Sequence, residues 1–247
     1  MTSVLVFAAT QTWIAMTNYH SELKYHGSVC ISGLTASGKT THSLLLAGEF
    51  GLTFVSGSQV RLFLSDVFPI QQKDFWLTKE GKDLWREEVF RKVEVELLRL
   101  EKLSSGYVFD TFTMPWLHEE PALCIWLASD IESRKNKSIV SHRGLSHFPD
   151  DSYIDKINEK DFVTIDLYKT LYDIDIGTNL DCFDLVIDIS TFINEPSLES
   201  SLRSIAKAHK IIRAAVGYYL SRSDDFRDAF HSVIEENKDY IIHNSLS

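Results

Sequence analysis

The sequence predicts an α/β fold in which helices cover both faces of a parallel sheet. Short runs of apolar and β-branched residues recur along the chain, and they alternate with longer segments of helical periodicity. Near-continuous apolar strands separated by helices are typical of a parallel sheet that is buried on both faces. A glycine-rich segment, residues 33–40, joins the first apolar run to the first helical segment. The segment therefore lies at the carboxyl edge of the predicted sheet.

The individual elements follow from the same patterns. Strands are predicted at residues 28–32, 52–56, 107–109, 123–127 and 183–188. Helices are predicted at residues 40–50, 82–103, 131–141, 155–172, 197–222 and 224–242. The longest apolar stripe belongs to the second helix and comprises Trp85, Val89, Val93, Leu97 and Leu100. The fold class is thus a five-stranded parallel sheet flanked by helices.

Length and composition favour a single domain over residues 1–247. The chain has 247 residues, of which 44% are hydrophobic, enough to bury a substantial core. We expect a core at about 27–190, an N-terminal arm at 1–26 and a C-terminal helical appendage at 191–247. We expect a monomer or a homodimer, because the helices of the appendage offer a contact surface.

The charge balance excludes several classes of partner. A formal net charge of −10 argues against binding to nucleic acid or to a membrane surface. The apolar residues near the start lack a preceding basic region, so neither a signal peptide nor a membrane span is predicted, and we expect a cytoplasmic protein. Cys30, Cys124 and Cys182 are far apart in the sequence and are predicted to be free thiols.

The glycine-rich segment reads GLTASGKT and contains the pattern GxxxxGKT in full. Glycines at its two ends allow the backbone to curl around an anion, while backbone N–H groups and the next helix's positive end point inward. The lysine reaches the β- and γ-phosphates and the threonine hydroxyl ligates Mg²⁺. The sequence thus predicts binding of ATP with Mg²⁺, by Gly33, Thr35, Ala36, Ser37, Gly38, Lys39, Thr40 and Thr41.

A second metal ligand is expected at the end of another strand. Asp110 follows the apolar run 107–109 and therefore lies at the edge of the sheet where open α/β folds bind ligands. Asp188 has the same local form at the end of the last predicted strand. Asp110 is the preferred candidate because Asp188 lies late in the chain.

Two further segments suggest contacts with phosphate. The basic run with Arg134, Lys137 and Arg143 follows the fourth predicted strand, where a short lid could stabilise charge during phosphoryl transfer. The turn from Ser56 to Arg61 follows the second strand, where it could hold a phosphate of an acceptor. Lys39, Asp110, Arg134 and Arg143 are the predicted catalytic residues.

Taken in order, these segments resemble the nucleoside monophosphate kinases, in particular the cytidylate kinase-like group. The resemblance covers about residues 27–190 and also includes the segments 114–117, 125–129 and 168–175. It implies a helical acceptor-binding insertion after the second strand and a short lid after the fourth. It assigns Arg61 to the acceptor phosphate, Asp110 to the region of Mg²⁺ and acceptor, and Arg134 to the transferring phosphoryl group. Ser56 and Trp116 join Arg61 and Asp110 in the implied acceptor site.

The sequence departs from this family at three places. Thr111-Phe112 follows Asp110 where the family has Gly-Arg or Gly-Trp, Lys160-Asp161 replaces an Arg-Asp pair, and Leu167 replaces an arginine. Lysine does not reproduce the bidentate contact of arginine with phosphate. Three functions therefore stay open: a kinase of a (pyrimidine) nucleoside monophosphate, a kinase of a hydroxyl on a nucleoside, metabolite or antibiotic, and a non-catalytic ATP-binding regulatory module.

Overall fold

A six-stranded sheet forms the centre of the protein. The computed structural model describes residues 27–66, 75, 78–141, 151–221 and 224–246, the side chains of residues 151–153 excepted. The strands are β1 (Ser28–Ser32), β2 (Thr53–Ser56), β3 (Tyr107–Asp110), β4 (Ala122–Ala128), β5 (Leu185–Asp188) and β6 (Ile241–Asn244). Their order is β2-β3-β1-β4-β5-β6, and all neighbours are parallel except β5 and β6. The predicted α/β fold with a largely parallel sheet is confirmed.

The helices occupy the segments between the strands. Within the described residues they are α1 (Lys39–Phe50), α2 (Gly57–Leu64), α3 (Lys79–Lys82), α4 (Glu87–Leu103), α5 (Met114–Leu117), α6 (Ile131–Ser141), α7 (Asp151–Tyr172), α8 (Leu198–Ser221) and α9 (Asp224–Glu236). The predicted insertion contains α2, α3 and α4, and the predicted lid begins with α6. None of these helices is long and apolar enough to cross a membrane.

The sheet has one strand more than predicted. The last predicted helix, residues 224–242, ends at Glu236, and after one turn of 3₁₀ helix the chain forms β6. Leu185 pairs with Asn244 and Val186 with His243, so β6 covers an edge of β5 that would otherwise expose unpaired backbone groups. The C-terminal appendage is therefore not wholly helical, which corrects the prediction.

Each face of the sheet carries its own apolar layer. Val29, Ile31, Ile125 and Ile187 point to the face covered by α1 and α8, together with Ala215 of α8. The alternate strand residues Cys30, Phe109, Cys124, Trp126 and Val186 point to the other face, which is covered mainly by α4 and α7. Burial on both faces explains why the strands read as continuous apolar runs in the sequence.

Strand register brings the predicted site residues to one edge. Ile31 of β1 and Ser56 of β2 are both paired with Asp110 of β3. The glycine-rich segment begins two residues after Ile31, so it starts beside the end of β3. The N-terminal arm at 1–26 lies outside the described residues.

The packing of α9 gives a first test. Phe230 is fully buried, and its ring stacks on Tyr218 of α8 with the centroids 5.2 Å apart. We expect Phe230→Ala to lower the free energy of unfolding by about 3–5 kcal/mol through lost burial and a residual cavity. Phe162→Ala is the control, because Phe162 is 71% exposed, and it should change stability by less than about 0.5 kcal/mol. Equal effects in urea unfolding would contradict the observed packing.

Candidate active site

The loop between β1 and α1 has a backbone that only glycine can form at its two ends. Gly33 has a φ of +149° and Gly38 a φ of +102°. A Cβ atom on Gly33 would lie 2.6 Å from Ser37 Oγ and 2.7 Å from the Leu127 carbonyl oxygen. Glycine is therefore required at Gly33 both by conformation and by the lack of space beside β4.

Lys39, the first residue of α1, folds back over the loop. Its Nζ donates hydrogen bonds to the carbonyl oxygens of Gly33 at 2.7 Å and Leu34 at 2.9 Å. It also lies 4.6 Å from the centroid of the Phe112 ring. Burial lowers the pKa of Lys39, and the negative charges of Asp110 and Asp161 oppose this effect. The loop thus holds a buried ammonium group at its centre.

The side chains of Thr40 and Asp110 are in direct contact. Thr40 Oγ1 donates a hydrogen bond of 2.5 Å to Asp110 Oδ2. Asp110 is 8% exposed, and its burial raises its pKa, an effect that Lys39 and Thr40 oppose. Hydroxyl and carboxylate oxygens are hard ligands of the kind that Mg²⁺ takes alongside phosphate oxygens. This donor set fits the predicted Mg²⁺ site.

The alternative candidate, Asp188, has another part in the structure. Its Oδ1 accepts a hydrogen bond from the backbone N–H of Ser190 at 2.9 Å, which holds the turn after β5. The structure brings Asp110, not Asp188, into contact with Thr40.

Strand order, the glycine-rich loop and the contact between Thr40 and Asp110 together identify the architecture. The glycine-rich loop at residues 33–40, here called the P-loop, follows β1, and Asp110 ends β3, the strand next to β1. The chain has the P-loop NTPase fold. The loop also has buried polar atoms that fit a phosphate ligand, because Thr35 Oγ1 and Ser37 Oγ have no hydrogen-bond partner among the described residues.

A buried ion pair connects the P-loop with helices α6 and α7. Arg134 of α6 donates to Asp161 Oδ2 of α7 at 2.5 Å, and each side chain is 7% exposed. Asp161 Oδ1 accepts from the backbone N–H of Thr35 at 3.0 Å, and Arg134 also donates to the Thr35 carbonyl oxygen at 3.2 Å. The Lys137 ammonium lies 3.4 Å from the Ser37 carbonyl oxygen. Arg143 lies outside the described residues.

Two cavities adjoin the P-loop on different sides. The first, here called the α4 cavity, has a volume of about 310 Å³ and lies between the loop and α2, α4 and α7. The second, here called the α8 cavity, has a volume of about 460 Å³ and lies between the loop, α6 and α8. Both are lined by Ala36, Lys39 and Thr40. The P-loop therefore separates two spaces that each can hold a small ligand.

The α4 cavity is lined by buried charges. Arg61 lies with its guanidinium carbon 3.9 Å from the centroid of the Phe90 ring. Burial lowers the pKa of Lys160 to about 8, and Lys39 and Arg61 act in the same direction. Ser56 and Asp110 also line this space. Lys160, which stands where the kinases that the sequence resembles have an arginine, also lines this cavity.

Two residues at the α4 cavity carry no sequence-based prediction, and Trp116 lies away from this cavity. Glu94 and Tyr168 line the α4 cavity without having been assigned a role. Glu94 could have been found, since it is a carboxylate on the apolar face of α4 near Val93 and Leu97. Trp116 is not brought to the cavity. Its ring packs on Phe183 and Trp126, with centroid distances of 5.0 and 6.3 Å.

Comparisons with known proteins show distant similarities in structure. No protein-family model matches the chain, and no curated protein matches it significantly. An uncharacterized protein from Eubacterium ventriosum has a TM-score of 0.46 at 12% identity, covering 74% of this chain and 98% of that chain. A shikimate kinase from Bacteroides thetaiotaomicron has a TM-score of 0.41 at 12% identity, covering 76% and 98%. A deoxyadenosine kinase from M. mycoides has a TM-score of 0.39 at 12% identity, covering 75% and 99%. Similarity at this level identifies no function.

The buried ion pair generates a prediction for stability. Asp161→Ala should lower the free energy of unfolding by about 3–5 kcal/mol, because it leaves the buried Arg134 without its carboxylate. The double variant Arg134→Ala/Asp161→Ala should lose clearly less free energy of unfolding than the two single variants lose in sum. The control is Glu159→Ala, which breaks the exposed pair with Lys82 and should cost at most about 1 kcal/mol. Additive losses in chemical denaturation would contradict this interpretation.

The α8 cavity contains a histidine whose burial predicts a pH dependence. The ring of His42 stacks on His209 of α8 with the centroids 5.6 Å apart. Burial, with the positive charges of His209 and Lys137, lowers the pKa of His42 to about 3. The His42 imidazole therefore binds a proton more tightly in the unfolded chain than in the folded protein. The free energy of unfolding is highest above the unfolded pKa of about 6.5 and decreases as the pH falls below it.

The test compares wild type with His42→Gln at two pH values. Between pH 7 and pH 5, the free energy of unfolding of the wild type should decrease by about 2 kcal/mol more than that of the variant, because the variant has no imidazole at this position to protonate. Urea unfolding at each pH measures the difference. Parallel losses in both proteins would show that His42 is not the group responsible.

Proposed function

We propose that this protein is an ATP-dependent kinase that transfers the γ-phosphoryl group to a small anionic acceptor, with a (pyrimidine) nucleoside monophosphate as the first candidate. The observation that carries the proposal is the pair of cavities that share Ala36, Lys39 and Thr40. A phosphotransferase must hold two substrates on either side of one phosphoryl group, whereas an NTPase needs space for one nucleotide.

ATP fits the P-loop and the α8 cavity, and Mg²⁺ fits the Thr40 and Asp110 oxygens. When bound, they supply the phosphoryl group and neutralise its charge. The other contributions come from the chain. The backbone N–H groups of the loop and the Lys39 ammonium bind phosphate oxygens, and Arg134 brings a buried positive charge within 3.2 Å of the loop backbone.

The α4 cavity favours an anionic acceptor. Arg61 and Lys160 both line it, Arg61 buried and Lys160 half-buried, and burial lowers the pKa of both, so an anion bound there would gain charge-assisted hydrogen bonds from both side chains. A phosphate on the acceptor would use these two cations and leave Lys39 and Arg134 to the transferred group. This division of cations supports a nucleoside monophosphate ahead of a neutral sugar.

A second candidate is a kinase of a hydroxyl group. Asp110 lines the α4 cavity, and its burial raises its pKa, which suits a carboxylate that takes a proton from an attacking hydroxyl. An acceptor phosphate needs no such base. The third hypothesis, a non-catalytic ATP-binding module, has no use for a second cavity lined by buried cations.

The deciding experiment measures ADP release from Mg-ATP with CMP, dCMP, UMP, AMP, GMP, free nucleosides, sugars, hydroxy acids and buffer alone. We expect release with a nucleoside monophosphate and none with buffer. Lys39→Ala and Asp110→Asn should each lower kcat by at least about 100-fold, because they remove charge stabilisation and a metal ligand. Arg61→Ala should raise the acceptor KM by at least about 10-fold and leave the KM for ATP unchanged.

Controls separate loss of chemistry from loss of structure. Each variant should retain the circular dichroism spectrum of the wild type, and Arg61→Lys should recover part of the acceptor affinity. Release with free nucleosides or sugars alone would favour the hydroxyl kinase. Binding of ATP without ADP release in the presence of any acceptor would leave only the non-catalytic module.

A further inference from the structure

Glu94 is a buried carboxylate at the wall of the α4 cavity. It belongs to α4 and is 2% exposed. Its Oε1 atom accepts a hydrogen bond from Thr113 Oγ1 at 2.8 Å and a second one from the Tyr168 hydroxyl. One oxygen of this carboxylate is therefore fully used in joining α4 to α7 and to the segment after β3.

The other oxygen has no such use. Glu94 Oε2 is buried and has no hydrogen-bond partner among the residues that the structure describes. A buried acceptor without a partner costs free energy, and native proteins seldom leave one unless a ligand or water completes it. Glu94 lines a cavity of about 310 Å³, so this carboxylate belongs to the wall of a space that can hold a small molecule.

The charges around Glu94 define what could bind there. Arg61 lies over the Phe90 ring and acts on Glu94 through its charge, and Tyr168 contacts the carboxylate directly. Burial raises the pKa of Glu94, while the two hydrogen bonds and Arg61 lower it. In its ionised form, with Oε1 accepting two hydrogen bonds, the carboxylate offers Oε2 as an acceptor. The missing partner is a donor.

We propose that Glu94 Oε2 accepts a hydrogen bond from an N–H or O–H group of the phosphoryl acceptor, and that this contact determines which acceptors bind. The inference rests on the proposed function, since it names a property of the molecule in the α4 cavity. The acceptor then carries two features: an anionic group held by Arg61 and Lys160, and a hydrogen-bond donor that reaches Glu94.

Two kinds of group could supply the donor, an amino group of a base or a hydroxyl of a sugar. Binding measured by calorimetry on matched pairs distinguishes them. CMP with UMP and AMP with IMP exchange an amino group and a ring-nitrogen acceptor for an oxo group and a ring N–H, and CMP with dCMP differs by one hydroxyl. A site built to bind a donor rejects analogues that lack it at that position, so we expect at least a 10-fold difference in Kd within one kind of pair, in favour of the member that places its donor at Glu94.

The variant Glu94→Gln tests the residue. Glutamine keeps the shape and an oxygen for Tyr168 and Thr113, but it presents an amide N–H₂ to the cavity. We expect the ratio of Kd values within the selective pair to shrink by at least about 10-fold.

The matched control is Glu101→Gln. Glu101 is a second buried glutamate of α4, is 3% exposed, and accepts a hydrogen bond from the backbone N–H of Glu119 at 3.1 Å. It does not line the α4 cavity. This variant should lose stability without changing the ratio of Kd values.

Each remaining outcome is decisive. Weaker binding of both members of every pair to the same degree in Glu94→Gln would show a purely structural role and overturn the inference. A wild-type selectivity that Glu94→Gln leaves unchanged would also overturn it, because the donor would then lie away from Glu94. Failure of every monophosphate to bind overturns it as well. Selective binding without ADP release would support Glu94 and reject only the proposed phosphoryl transfer.

Discussion

The hydrogen bond between Thr40 and Asp110 joins the two parts of the chain on which the site depends. Thr40 belongs to the helix that follows β1, and Asp110 ends β3, seventy residues later. Their contact requires the observed register, in which Ile31 pairs with Asp110 and the backbone N–H of Thr111 donates to the Ile31 carbonyl oxygen at 3.2 Å. A shift of two residues along β3 would move the carboxylate by about 7 Å and separate the pair.

The charges around this contact lie in groups of opposite sign. Among the described residues, Lys39, Arg61 and Lys160 line the α4 cavity with Asp110 and Glu94, and Arg134 pairs with Asp161 beside the loop. Burial of unpaired charge is costly, so a carboxylate near each cation offsets part of this cost. The chain carries a net charge of −10, yet this set of described residues contains four cations and three carboxylates. The local field, rather than the net charge, suits an anionic substrate.

The parts of the fold that sequence could predict are those set by local pattern. The first five strands, the P-loop and the position of Asp110 follow from apolar runs and their endings. Strand β6 could not be predicted in this way, because Ile241 and Ile242 fit the end of a helix equally well. Only the free edge of β5 makes their pairing as a strand favourable. The position of Trp116 could not be predicted, because an aromatic residue near a site in sequence can equally pack into the core. Trp116 packs there against Phe183.

Helix α8 lines part of the site, although it lies outside the segment of the sequence that resembles the nucleoside monophosphate kinases. Leu198, Ser201 and Ile205 of α8 line the α8 cavity opposite the P-loop, and His209 stacks on His42 two residues after the P-loop threonine. The α8 cavity, the proposed nucleotide side of the site, is therefore lined in part by a segment that the P-loop motif does not predict.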